Sequence, residues 1–111
     1  MKNENLVSLI QNLMKTKKPI WRRVARELSK PRRRRIEVNL SKIEQYAAAD
    51  STVLIPGKVL GTGNLSKKVT VAAYSFSESA KKLIGQSGGK AVSIESLHKS
   101  NPEGKDITLL S

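Results

Sequence analysis

Between Lys15 and Arg35 the chain carries eleven basic residues and one acid, Glu27, a net +10 out of +12 for the whole sequence. So dense a run of like charge cannot enter a core, because an unpaired buried cation is heavily penalised, and whatever this stretch forms must leave its cations facing water or an anion. The residues between the charges still carry an apolar pattern. Trp21, Val24, Ala25 and Leu28 recur at i, i+3, i+4 and i+7, Pro19 suits a first helical turn, and Pro31 forces an end near Ser29. The stretch reads as a short helix with one packing side and a cationic side bearing Arg22, Arg23, Arg26 and Lys30. Arg32 to Arg35 follow as an unbroken cationic loop.

The rest of the chain is balanced, with zero net charge over residues 1–14 and +2 over residues 36–111. With 111 residues there is room for one folded unit, read here as a basic helical arm over 1–35 and an α/β core domain over 36–111. Aromatic residues are 4% against 38% hydrophobic overall, so the core must be built from Leu, Ile, Val and Ala. Ahead of the basic stretch, Leu6, Leu9, Ile10, Leu13 and Met14 give a helical apolar face of about four turns.

Beyond residue 36 strands and short helices alternate. Asn39 and Ser41 are read as helix caps, Ser41 and Glu44 have capping-box spacing, and Leu40, Ile43, Tyr46 and Ala47 form the buried stripe. Thr52–Ile55 reads as a strand closed by a Pro56-Gly57 turn, with Val59 and Leu60 a further short strand. Val69–Tyr74 is apolar on both faces and belongs in a sheet interior. Ser75 or Ser77 starts a helix carrying Ala80, Leu83 and Ile84, ended by Gly85 or by Gly88-Gly89. Ala91-Val92 is a strand, Ser93 caps a helix with Ile94 and Leu97, Asn101-Pro102 stops it, and Ile107 and Leu109 mark a last strand.

Catalytic and metal chemistry find little material. There is no cysteine, which removes disulfides, thiolate ligands and thiol nucleophiles and fits a reducing compartment such as the cytosol. His98, the single histidine, reads as a surface residue on a short helix, and the carboxylates are scattered without metal-ligand spacing. Gly57-Lys58 and Gly61-Thr62-Gly63 lack the spacing of a triphosphate loop or a dinucleotide fingerprint, which leaves a structural glycine-rich turn, anchored at Gly57 and Gly61, with a bare backbone beside Lys58 that a phosphate could approach. No catalytic residue, metal or cofactor is expected, and neither an export leader nor a membrane span is recognised.

What remains is polyanion binding, for which the candidate contacts are Lys15, Lys17, Lys18, Arg22, Arg23, Arg26, Lys30, Arg32, Arg33, Arg34 and Arg35. Seven of these are arginines, whose planar donor forks match phosphate oxygens. Trp21 is read as the anchor that holds them in place rather than as a stacking surface. A basic helix running straight into an arginine loop suits the crowded phosphate ridges of folded RNA better than one DNA groove. A solvated arm is the bland alternative, and a free-standing RNA- or DNA-binding regulator is the functional one.

Five stretches, taken in order, resemble the archaeal large-subunit ribosomal protein eighteen-e family. They are Trp21-x-x-Val24-Ala25-x-x-Leu28-x-Lys30-Pro31-Arg32-Arg33, Glu37-Val38-Asn39-Leu40-Ser41-x-Ile43, Val53-x-Ile55-Pro56-Gly57-Lys58-Val59-Leu60-Gly61-x-Gly63, Val69-Thr70-Val71-Ala72-Ala73 and Asn101-Pro102-Glu103-Gly104. Arg34 and Arg35 extend the basic loop beyond that pattern. The resemblance implies a fold related to bacterial large-subunit protein fifteen, with irregular β-β-α turns stacked in a superhelix. It also implies a structural, non-catalytic role in the cytoplasmic large ribosomal subunit, with ribosomal RNA and neighbouring ribosomal proteins as partners. Lys30 to Arg33, Asn39 and the Gly57-Lys58 turn would then lie against RNA.

Overall fold

The computed structural model describes residues 2–110, with the side chains of residues 2–5 and Arg32 outside the described set. Two helices, α1 (Lys2–Lys15) and α2 (Pro19–Leu28), precede a mixed α/β arrangement of β1 (Ile36–Asn39), α3 (Leu40–Tyr46), β2 (Thr52–Leu60), β3 (Thr70–Phe76), α4 (Glu78–Gln86), β4 (Lys90–Ser93), α5 (Ile94–Ser100) and β5 (Ile107–Leu109). All strand pairings are parallel, in the order β1-β2-β3-β4, with β5 also against β2. Parallel neighbours need long crossovers; α3 carries the chain from β1 to β2 and α4 from β3 to β4, while α5 leads from β4 back to β5 beside β2. The long strand β2 takes β5 along Thr52–Leu54 and β1 along Gly57–Leu60, so the two short strands follow one another beside it.

Side chains alternate between the faces of this sheet, and each face is covered. Val53, Ile55, Val59, Val71 and Ala73 pack with Leu40 and Ile43 of α3 and Ala80 and Ile84 of α4. On the other side Leu54 and Ala72 pack with Leu13, with Trp21, Val24, Ala25 and Leu28, and with Ile94 and Leu97. Trp21, Val24, Ala25 and Leu28 of α2 are thus fully buried, 0% exposed, against the sheet. A helix of 10 residues is marginal alone, whereas burying Val24 and Leu28 contributes about 1.5–3 kcal/mol each, so tertiary packing holds α2 helical.

Several local expectations fail for identifiable reasons. Pro56-Gly57 does not turn the chain; β2 runs through it, with the register to β3 shifting between Ile55 and Lys58. Proline brings no donor and is tolerated at such an irregularity, while Gly57 lies so close to β1 that a Cβ would overlap the carbonyl oxygen of Ile36. Residues 36–39, read without a strand, form β1 because Gly57–Leu60 offers them a free edge. Asn39 occupies the N-cap of α3 but its side chain makes no capping bond, and Ser41 lies inside the helix. Glu44 therefore closes no capping box. Its carboxylate accepts from the Ser66 hydroxyl at 2.6 Å and the Ser66 N–H at 3.0 Å, which hold it below its usual pKa.

Tyr46 and Met14 leave their predicted stripes for solvent, 59% and 51% exposed, because Leu40, Ile43 and Ala47 complete the face of α3 and Leu13 fills the core position on α1. The loop after Pro31 contains a 3-10 turn, Arg32–Arg34. His98 is not a free surface residue: its ring is half-buried and meets the Trp21 indole edge-on, centroids 4.9 Å apart. Ser77 and Ser93 cap α4 and α5, accepting from Ala80 N–H at 3.2 Å and Ser96 N–H at 3.0 Å.

Candidate nucleic-acid interface

Helix α2 divides its sequence between core and surface. Opposite the buried stripe, Arg22, Arg23 and Arg26 are exposed, and with Lys17, Pro19 and Glu27 they line an open groove of about 530 Å3. Arginines at i and i+4, or at i and i+3, repel by about 0.2–0.5 kcal/mol per pair, far less than the packing that fixes the helix, so the cations stay aligned. The first turn of α2 contains no acid, and the helix start at Lys18 and Pro19 adds its own partial positive charge. The result is a surface on which an anion relieves repulsion at several points.

Trp21 holds this helix in position. Its indole N–H donates to the carbonyl oxygen of Pro102 at 3.0 Å, so the ring is both packed and hydrogen-bonded. Nothing of the ring is left for stacking on a base. Lys18 reaches Glu103 at 3.2 Å from the same turn. Lys30 pairs with Glu27 at 2.9 Å. Lys15, Lys17, Arg22, Arg23, Arg26, Arg33 and Arg34 have no carboxylate partner among the described residues, and all seven are exposed. The side chain of Arg32 lies outside the described residues.

Arg35 behaves differently from its neighbours. Its Nε donates to the Lys30 carbonyl at 3.1 Å, and its guanidinium carbon lies 5.6 Å from the centre of the Tyr74 ring. This ties the end of the arginine loop back to the sheet, where Lys58 and Glu37 stand opposite each other on β2 and β1. The candidates from α2, the loop and β2 are thereby connected through Glu27, Lys30 and Arg35. Tyr74, Glu37 and Ser75 join them at Lys58 in a small cleft that sequence reasoning did not single out. Tyr74 had a faint signal, one of 4% aromatic residues in the chain, but the irregularity between β2 and β3, where it lies, decides its neighbours.

Asn39 is half-buried, and its side-chain oxygen is enclosed without a hydrogen-bond partner. Gly57 and Gly61 serve close packing: a Cβ on Gly61 would overlap the hydroxyl of Ser79 at the start of α4. Among the described residues no group of three or more His, Asp or Glu side chains is placed to hold a metal, and no helix is long and apolar enough to cross a membrane.

The sequence model of the family described as ribosomal protein 60S L18 and 50S L18e matches residues 2–111. The large ribosomal subunit protein eL18 of Methanococcus maripaludis is 49% identical, over 98% of this chain and 94% of its own length. Its counterpart in Archaeoglobus fulgidus is also 49% identical, over 97% of this chain and 96% of its own. The protein of that name in Haloarcula marismortui is 47% identical over the same shares, 97% and 96%.

Proposed function

The chain belongs to the family of ribosomal protein 60S L18 and 50S L18e and is a structural protein of the large ribosomal subunit, not an enzyme; on that premise we propose that it binds ribosomal RNA through the surface built on α2, the arginine loop and Lys58. One observation carries the reading. Eleven cations between Lys15 and Arg35 sit on a segment whose apolar side is anchored in the core, and carboxylates pair with only two of those described, Lys18 and Lys30. A solvated coat needs no such anchoring. Arginines on an anchored backbone, however, meet phosphates without first losing the freedom of a loose arm, and the condensed ions released from RNA favour the contact.

In this reading residues 1–35 supply most of the phosphate contacts and residues 36–111 supply the rigid body. Lys15, Lys17, Lys18, Arg22, Arg23, Arg26, Lys30 and Arg32 to Arg35 are the primary contacts, with Asn39 and Lys58 joining from the sheet. The succession β2, β3, α4 is read as one β-β-α turn of a stacked, superhelical series. Neighbouring ribosomal proteins then meet the faces that RNA leaves open.

Salt titration tests the RNA reading. Affinity for a large-subunit RNA fragment should fall along a log–log line whose slope shrinks as arginines are removed. The protein should also stay with large subunits through sedimentation at moderate salt. Affinity indifferent to salt would count against it.

A further inference from the structure

Glu37, Lys58 and Ser75 are register partners across β1, β2 and β3, and all three line an open cleft of about 240 Å3 completed by Arg35 and Tyr74. An acid and a base opposite each other in a sheet ordinarily attract. Here Glu37 and Lys58 are both exposed and form no ion pair with each other or with any other described residue. One free acceptor and one free cation thus stand side by side. Next to them Arg35 is held by its bond to the Lys30 carbonyl and by the Tyr74 ring, so two flat π surfaces are already in place.

We propose that this cleft holds a single unpaired nucleotide, with its base flat against the Arg35–Tyr74 pair, its Watson–Crick edge toward Glu37 and its phosphate at Lys58. The proposal rests on the RNA-binding reading above and adds to it a subsite that distinguishes bases. Any base has a π face for stacking, but an ionised carboxylate accepts only, so the edge it meets must donate. Guanine offers two adjacent donors, N1–H and the exocyclic amine, which match the two oxygens of one carboxylate. Uracil offers a single donor between two acceptors that the carboxylate repels. A base-paired nucleotide has this edge occupied and cannot enter.

The test uses the full chain and three probes: an oligouridine, the same oligouridine with one central guanosine, and a short RNA duplex, with binding read by fluorescence anisotropy at fixed salt. The single guanosine should tighten binding by about tenfold, and Glu37→Gln should erase that preference, bringing the two single strands to equal affinity. Tyr74→Ala should weaken both single strands by about tenfold, Tyr74→Phe should retain them, and none of the three should alter duplex binding. Should Tyr74→Ala fail to fold by circular dichroism, the Glu37→Gln comparison decides alone. Equal affinity for the two single strands overturns the cleft proposal, and if duplex binding remains steeply salt-dependent the arginine surface still stands. A wild-type chain that binds none of the probes overturns the reading beneath both.

Discussion

The hydroxyl of Thr16 and Nε2 of His98 lie 2.6 Å apart, joining the end of α1 to α5 across 82 positions of sequence. With the Trp21 indole edge-on to the imidazole, this contact closes the helical layer over the sheet.

Burial holds His98 below its ordinary value of 6.5. The unfolded chain therefore takes up this proton first, so the contribution is complete above about pH 6.5 and declines as pH falls below it toward the folded pKa. His98→Gln, which removes the titration, should flatten stability against pH over that interval, as read from urea midpoints. Parallel losses in both proteins would show that other groups set the acid limb.

Trp21→Ala should destabilise the protein by about 3–5 kcal/mol, since it empties a fully buried site. Trp21→Phe keeps most of the volume but strands the Pro102 carbonyl, and should cost roughly 1–3 kcal/mol. Denaturant unfolding measures both; a phenylalanine variant as stable as wild type would mean that water replaces the lost donor.

Gly57→Ala should weaken the pairing of β1 with β2, because its Cβ would occupy the place of the Ile36 carbonyl. The expected loss lies at the upper end of the usual range of about 0.5–3 kcal/mol. Hydrogen exchange should then accelerate at Val38 and Val59 ahead of Val71. Uniform acceleration would falsify a local origin.

Replacing Arg22, Arg23 and Arg26 together by alanine should leave folding within roughly 0.5 kcal/mol of wild type, since all three are exposed. The salt dependence of RNA affinity should lose about 0.7–0.9 of slope for each phosphate contact removed. An unchanged slope would move the contacts to other cations.

The apolar spacing 21, 24, 25, 28 already shows which side of α2 is buried, because helical period and the cost of burying arginine leave one solution. Ser77 and Ser93 are legible as caps for a similarly local reason, as is the interior character of the Val69–Tyr74 run through Ala73, while its last residue, Tyr74, is 38% exposed. The basic surface is legible too, as eleven charges in one short stretch, and so is the family. Pairing is another matter. Whether Pro56-Gly57 turns or continues depends on β1 arriving beside it, and nothing within those two residues encodes that neighbour. The capping box failed because the helix starts earlier, with Asn39 at its N-cap, which leaves the Glu44 carboxylate to Ser66, 22 positions away. The cleft at Lys58 is visible only in three dimensions, since register brings Glu37 and Ser75 to it and Tyr74 joins at the irregularity between β2 and β3. The chain by itself determined periodicity, charge and caps, which act over a few residues. The fold decided which strand edges meet, because those contacts are selected by burial on both faces of the sheet at once.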